Sequence, residues 1–87
     1  MKECEVVIGH ELGLHARAAA KLVQLSRRFK STIVLTRADN AQNVQADARS
    51  ILSILLLAAG HGSRLKVRVE GADEDEALEK VCEYLRG

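Results

Sequence analysis

His15 and Arg17 stand two residues apart at the predicted start of a helix. From residue 16 onward, small and apolar residues recur at three- and four-residue spacing, as on one buried helix face. These residues are Ala19, Leu22, Val23, Ser26 and Phe29. We therefore predict a helix over residues 16–29. No Ser, Thr, Asp or Asn precedes it, so His15 occupies the cap position.

The start of this helix is suited to an anion. The first-turn backbone N–H groups of Ala16, Arg17 and Ala18 have no partner within the helix and lie at the positive end of its dipole. Anions bind at such helix ends. The ordinary alternative is a capping histidine beside a solvated arginine, which is the commoner meaning of an isolated His-x-Arg pair.

Composition narrows the possible functions. With 87 residues, 47% of them hydrophobic, we expect one domain over residues 1–87. Thirteen basic and twelve acidic residues give a net charge of +1, too little for a nucleic-acid or lipid-binding field. The sequence has one Phe, one Tyr and no Trp, so base-stacking platforms are missing. No apolar run could span a bilayer and no signal-peptide pattern occurs, so we expect a cytoplasmic protein.

The two cysteines, Cys4 and Cys82, are far apart and belong to no CxxC or Cys/His cluster. This spacing argues against a metal site. Because the cytoplasm keeps thiols reduced, we expect two free thiols that pack as small buried side chains.

Periodicity and turn residues predict the remaining elements. Strands are predicted over residues 3–9, 32–37, 43–46 and 63–70, with a polar turn at 38–40. A short second helix is predicted over residues 49–57, where Leu and Ala dominate. The resulting order, βαββαβα, predicts a two-layer, open-faced α+β sandwich with a four-stranded, largely antiparallel sheet and the helices on one face.

The third helix has a clear charge pattern. Its first turn holds four acidic residues and its last turn a basic one, as the helix dipole favours: Asp73, Glu74, Asp75, Glu76 and Arg86. Acid–base chemistry by paired carboxylates is the weaker alternative. The predicted buried face is Leu78, Val81, Cys82 and Leu85.

Four segments together resemble one known family. They are Gly-Leu-His-Ala-Arg at 13–17, the alanine-rich turn after it, Arg-Ser-Ile at 49–51 and Gly-Ala-Asp-Glu at 71–74. They follow the order and spacing of HPr, the histidine-containing phosphocarrier of the bacterial phosphoenolpyruvate-dependent sugar phosphotransferase system. The resemblance covers essentially the whole chain. Ala18 stands where the family usually has proline, which should loosen the first turn slightly.

The resemblance implies a phosphocarrier, not an enzyme, and no cofactor or metal. His15 would accept a phosphoryl group on Nδ1 from phospho-enzyme I and pass it to EIIA domains of sugar permeases. Imidazole suits this role because its phosphoryl adduct is labile, whereas serine would form a stable ester. Arg17 would stabilise the phosphate through its guanidinium, and the N–H groups of residues 16–18 would bind its oxygens.

Ser50 has two interpretations. A serine at the start of a short helix is ordinarily the cap of that helix. In many members of the HPr family, the serine at this place is phosphorylated by HPr kinase/phosphorylase. Such a phosphate would place negative charge at the start of the second helix, make the adjacent surface repel acidic partners, and slow phosphoryl transfer from enzyme I.

The second helix is apolar nearly all round, so an 87-residue domain cannot bury every face of it. We predict that Ile54, Leu57 and Ala58 face the sheet. The other stripe consists of Ile51, Leu52 and Leu55. In HPr proteins this stripe docks enzyme I, EIIA domains and the kinase, and Ala16 and Ala20 would complete the exposed patch.

Other functions remain open. The nearest is the nitrogen-related branch of the phosphotransferase system, whose output is regulatory. A small ligand-binding regulatory domain would form a dimer without phosphohistidine, whereas a carrier is expected to be a monomer. An acylphosphatase-like enzyme would need an arginine-bearing glycine-rich loop after the first strand, which this sequence lacks. His10 and His61 are interpreted as loop residues without function.

Overall fold

The computed structural model of the protein describes residues 1–39 and 44–87. Within these residues the elements are β1 (Lys2–Val7), α1 (Ala16–Ser26), β2 (Thr32–Arg37), β3 (Gln45–Asp47), α2 (Ile51–Leu56), β4 (Arg64–Glu70) and α3 (Glu74–Arg86). The strands form one antiparallel sheet in the order β1-β4-β2-β3. The predicted open-faced α+β sandwich is therefore confirmed.

The sheet is buried on the face that the helices cover. In β4, at the centre of the sheet, Leu65, Val67 and Val69 are fully buried, while the residues between them are partly exposed. Val67 lies opposite Cys4 of β1 and Leu35 of β2. This alternation follows from the two-residue period of a strand with one wet face.

Two helices are shorter than the sequence predicts. α1 ends at Ser26, although Phe29 still joins the core. α2 covers only residues 51–56, and Ala58 beyond it is exposed with φ +51°. The prediction that Ala58 faces the sheet is wrong, because the chain leaves the helix there and turns Ala59 inward instead. Residues 40 and 43, in the predicted turn and third strand, lie outside the described residues.

α3 is rotated slightly from its predicted orientation. Leu78 is only partly buried, and Ala77 takes its place in the core beside Val81, Cys82 and Leu85. The sequence permits either rotation, since both residues fall within one broad apolar face.

Asp73 also differs from its predicted role. Its carboxylate makes no cap bond to α3 and instead accepts hydrogen bonds from the Lys30 N–H at 2.9 Å, the Ser31 N–H at 3.0 Å and the Ser31 hydroxyl at 2.6 Å. The Ser31 hydroxyl, followed by the Lys30 N–H, holds the pKa of Asp73 below its ordinary value. Asp73 therefore ties the start of α3 to the turn after α1. Glu74, Asp75 and Glu76 do occupy the first turn of α3.

The cysteines are not two separate thiols. Cys4 of β1 and Cys82 of α3 form a disulfide, and neither is free. The expectation of reduced cysteines is thus wrong for this structure. Their sequence separation of 78 residues hid a pairing that appears only when α3 packs on β1. In the described part of the chain, no helix is long and apolar enough to cross a membrane.

Candidate functional site

His15 caps α1, as the sequence predicts. Its backbone is extended, and its Nδ1 accepts the Arg17 N–H at an N-to-Nδ1 distance of 3.3 Å. A ring nitrogen that accepts a hydrogen bond carries no proton, so Nε2 bears it in the neutral ring. The lone pair of Nδ1 therefore faces the first-turn N–H groups.

The loop before His15 is held by the segment that follows α2. The Leu14 N–H donates to the Ala59 carbonyl at 2.9 Å. Gly13 has φ +68°, and a Cβ there would lie only 2.6 Å from both the Ala59 oxygen and the Gly60 Cα. Only glycine fits this backbone conformation and this close approach without distortion.

The C-terminal turn of α3 contacts both sides of His15. The Gly9 N–H donates to the Leu85 carbonyl at 3.0 Å. His10 Nε2 donates to the Tyr84 carbonyl at 2.7 Å, and the Tyr84 hydroxyl donates to the Ala18 carbonyl at 3.0 Å. His10 therefore has a structural partner that the sequence analysis missed. No sequence signal reveals it, because the two residues are 74 positions apart.

A small recess of about 140 Å³ opens beside the His15 ring. It is lined by His10, His15, Arg17, Ala18, Lys21 and Tyr84. This lining includes an arginine and a lysine but no carboxylate, and both cationic residues are exposed. Together with the start of α1, the recess presents donors and positive charge to an anion.

The predicted docking residues are exposed. Ile51, Leu52 and Leu55 are 43%, 68% and 37% exposed, whereas Ile54 and Leu57 are buried. Ala16 is exposed and Ala20 partly so. Leu56, at 70% exposure, adds an apolar side chain that the sequence analysis did not include. Its spacing of four residues from Leu52 could have indicated this. We call Ala16, Ala20, Ile51, Leu52, Leu55 and Leu56 the apolar patch.

Ser50 caps α2, as its ordinary interpretation predicts. Its Oγ accepts the Ser53 N–H at 3.3 Å, and the residue is partly exposed. The neighbouring Arg49 points elsewhere: its Nη2 donates to the Phe29 carbonyl at 2.5 Å and to the Ser31 carbonyl at 3.2 Å. Arg49 therefore holds the start of α2 against the turn after α1.

Across residues 1–39 and 44–87, no group of three or more His, Cys, Asp and Glu side chains is placed to hold a metal ion. His61 is exposed in the loop before β4.

Residues 2–86 match the family model described as PTS HPr component phosphorylation site. The chain belongs to the HPr family. It is 40% identical over 83 residues to the phosphocarrier protein HPr of Xylella fastidiosa (strain 9a5c), covering 95% of this chain and 89% of that one. It is also 38% identical over 76 residues to the phosphocarrier protein NPr of Proteus mirabilis, covering 87% of this chain and 81% of that one.

Solved HPr structures have the same fold as this chain. A phosphocarrier protein HPr from Bacillus anthracis superposes with a TM-score of 0.89 at 34% identity, covering 97% of this chain and 95% of that one. An HPr dimer from Thermoanaerobacter tengcongensis gives a TM-score of 0.66 at 37% identity, covering 100% and 99% of the two chains. The protein is therefore a phosphocarrier of the phosphotransferase system and not a catalytic enzyme.

Proposed function

We propose that His15 is the phosphorylated residue, which accepts a phosphoryl group from phospho-enzyme I and passes it to EIIA domains of sugar permeases. The observation that carries this proposal is the placement of His15 Nδ1 against the Arg17 N–H at the start of α1. Membership of the HPr family supports this proposal, since the description of the matched family model names a phosphorylation site.

In the proposed transfer, the Nδ1 lone pair attacks phosphorus while the bond from phosphorus to the donor's histidine nitrogen breaks. That lone pair becomes the new N–P bond, so it can no longer accept the Arg17 N–H. This N–H and those of Ala16 and Ala18 are then available to phosphoryl oxygens at the positive end of α1. The reverse displacement passes the phosphoryl group to an acceptor histidine.

Arg17 is the proposed phosphate-stabilising side chain. It is exposed, and within the described residues its guanidinium has no carboxylate partner. A planar guanidinium can donate two parallel hydrogen bonds to phosphate oxygens. It would offset charge as donor and acceptor approach each other.

The apolar patch is the proposed docking surface for enzyme I and EIIA domains. Its support is the exposure of Leu52 and Leu56, two large apolar side chains. An exposed cluster of apolar side chains is typical of a protein-binding surface. Replacing Leu52 with serine should raise the KM for phosphoryl transfer and leave kcat nearly unchanged. The buried Ile54 is unsuitable as a control, because its replacement would also lower stability.

Ser50 is the proposed regulatory site, phosphorylated by HPr kinase/phosphorylase. Its partial exposure beside Ile51 supports access by a kinase. A phosphate adds a charge of about −1.5 to −2 at the edge of the apolar patch. Incubation with the kinase and ATP should phosphorylate the wild type and not Ser50→Ala, and the phosphorylated protein should accept phosphate from enzyme I more slowly.

A second candidate function is regulatory phosphocarrier of the nitrogen-related branch. The similarity to the NPr of Proteus mirabilis favours it. The two branches are distinguished by their partners: the enzyme I of each branch should be compared as donor at equal concentration. A large preference for the nitrogen-branch donor would favour the regulatory function and contradict the proposed role in sugar transport. If His15 accepts no phosphate from either donor, the third candidate is an unphosphorylated ligand-binding domain.

We further propose that residues 1–87 act as one monomeric domain in the cytoplasm, binding neither nucleic acid nor metal. Cytoplasmic reductants would open the Cys4–Cys82 disulfide to the dithiol form. Light scattering of the reduced and oxidised protein tests the oligomeric state. A stable dimer in both forms would contradict the monomer.

The main test is intact mass after incubation with enzyme I, Mg²⁺ and phosphoenolpyruvate. The wild type should gain one phosphoryl group that is labile in acid and stable in base, and His15→Ala should gain none. His61→Ala is the matched control, because it removes an exposed imidazole from another loop. Labelling of His15→Ala, or no labelling of the wild type by several active donors, would refute the proposal.

A further inference from the structure

Tyr84 lies outside the HPr-like motifs of the sequence, yet it contacts the backbone on both sides of His15. Its hydroxyl donates to the Ala18 carbonyl at 3.0 Å, three residues after His15. Its own carbonyl accepts from His10 Nε2 at 2.7 Å, five residues before His15. The Tyr84 and His10 rings also contact each other, with centroids 4.9 Å apart.

The hydrogen bond from the Tyr84 hydroxyl restrains a peptide group that is itself hydrogen-bonded to His15. The Ala18 carbonyl and the Ala19 N–H belong to one planar peptide group. That N–H donates to the His15 carbonyl at 2.8 Å. Tyr84 therefore anchors one end of a rigid group whose other end is bonded to the backbone of His15.

This anchor matters because the first turn of α1 has no proline to fix its backbone. Position 18 is alanine, which has no ring to restrict its backbone, and first turns of helices fray. The phenol is a dependable donor at neutral pH, since burial raises the pKa of Tyr84 above its ordinary value of 10.0.

We propose that Tyr84 is a positioning residue for phosphoryl transfer, which holds the first turn of α1, and with it His15 Nδ1 and the Arg17 N–H, in the arrangement that transfer requires. This inference rests on the proposed function of His15. It assigns to the C-terminal turn of α3 a role in the reaction.

The test variant is Tyr84→Phe, which keeps the ring against His10 and removes only the hydroxyl. Thr32→Val is the matched control, because it removes a hydroxyl from an exposed position of β2 outside the recess. The kcat for transfer from phospho-enzyme I should fall about three- to tenfold in Tyr84→Phe, the effect of one hydrogen bond. The KM should stay unchanged, since the apolar patch is intact.

Amide hydrogen exchange supplies the second readout. In Tyr84→Phe, the Ala19 amide should exchange several-fold faster while the amides of β4 keep their wild-type rates. A merely structural role would instead speed exchange in β4 as well and leave kcat unchanged after correction for the folded fraction. That result would overturn the proposal.

The two possible failures are distinguishable. If wild type and Tyr84→Phe are phosphorylated with the same kcat, the role of Tyr84 is refuted and the phosphocarrier role of His15 stands. A rise in KM at constant kcat would refute it equally. If the wild type accepts no phosphate at all, the proposed function of His15 fails and the role of Tyr84 fails with it.

Discussion

Replacing Gly13 with alanine probes how the loop before His15 is held in place. The φ of +68° costs a residue with a Cβ about 1 kcal/mol. The added Cβ also meets two backbone atoms at 2.6 Å, the Ala59 oxygen and the Gly60 Cα, neither of which can rotate away. The loop must then move, and the Leu14 N–H bond to Ala59 is lost, at about 1 kcal/mol. We expect Gly13→Ala to lower the free energy of unfolding by about 2–3 kcal/mol.

Two neighbouring glycines provide matched controls. At Gly62, φ is +86° but a Cβ would meet nothing within 4 Å, so Gly62→Ala isolates the backbone cost of about 1 kcal/mol. At Gly60, φ is not positive and a Cβ would again meet nothing. Gly60→Ala should therefore be neutral or slightly stabilising, through the lower entropy of its unfolded chain.

Urea denaturation of the three variants measures the order directly, and thermal melting provides a check. For a domain of this size, each kcal/mol corresponds to about 4–8 °C in Tm. The loss of stability should increase from Gly60→Ala to Gly62→Ala and be largest for Gly13→Ala. If Gly13→Ala and Gly62→Ala lose the same free energy of unfolding, the close approach of Gly13 to Ala59 and Gly60 contributes nothing to stability, and the prediction is refuted.

Three further predictions concern stability. Ala58→Gly should stabilise the protein by about 0.5–1 kcal/mol in urea, because Ala58 has φ +51° just after α2, where glycine is favoured; a lower midpoint would contradict this. Because the pKa of Asp73 is lowered, its ionised carboxylate stabilises the folded state. This contribution is fully present above the ordinary pKa of 3.8 and is lost as pH falls through the lowered pKa. The advantage of wild type over Asp73→Asn should therefore be constant near neutral pH and shrink below 3.8, and a constant gap down to pH 2 would refute it. Reducing the Cys4–Cys82 disulfide, which spans 78 residues, should lower the free energy of unfolding by up to about 4 kcal/mol; a Cys4→Ser, Cys82→Ser double variant should not respond to reductant, and equal midpoints for oxidised and reduced wild type would contradict the prediction.

Much of the fold follows from local pattern. The alternation of β4 and the stripe of α1 predicted their buried faces because strand and helix periods are set by backbone geometry. The absence of an ordinary cap before residue 16 identified His15 as the cap, and the structure shows its Nδ1 in that role. For α2, apolar content alone indicated that part of the helix is exposed, and the exposure of Leu52 confirms it.

Other features could not be predicted because they depend on how elements pack. The bond between His10 and Tyr84 joins residues 74 positions apart, and the disulfide joins residues separated by 78. The sequence indicates a helix-start role for Asp73. In the structure its carboxylate instead accepts hydrogen bonds from the turn after α1. In each case the side chain's type was visible in the sequence, but its partner was not.

Local sequence pattern predicts the order of the elements, the buried faces of β4 and α1, and the place of His15 at a helix start, because these features depend on residues a few positions apart. The surroundings of that histidine depend instead on how distant elements pack together. The segment after α2 and the last turn of α3 contact the His15 loop across 45 positions, from Leu14 to Ala59, and across 76 positions, from Gly9 to Leu85. The sheet order β1-β4-β2-β3 brings these ends together. Contacts of that range depend on the relative placement of whole elements, which local periodicity does not specify.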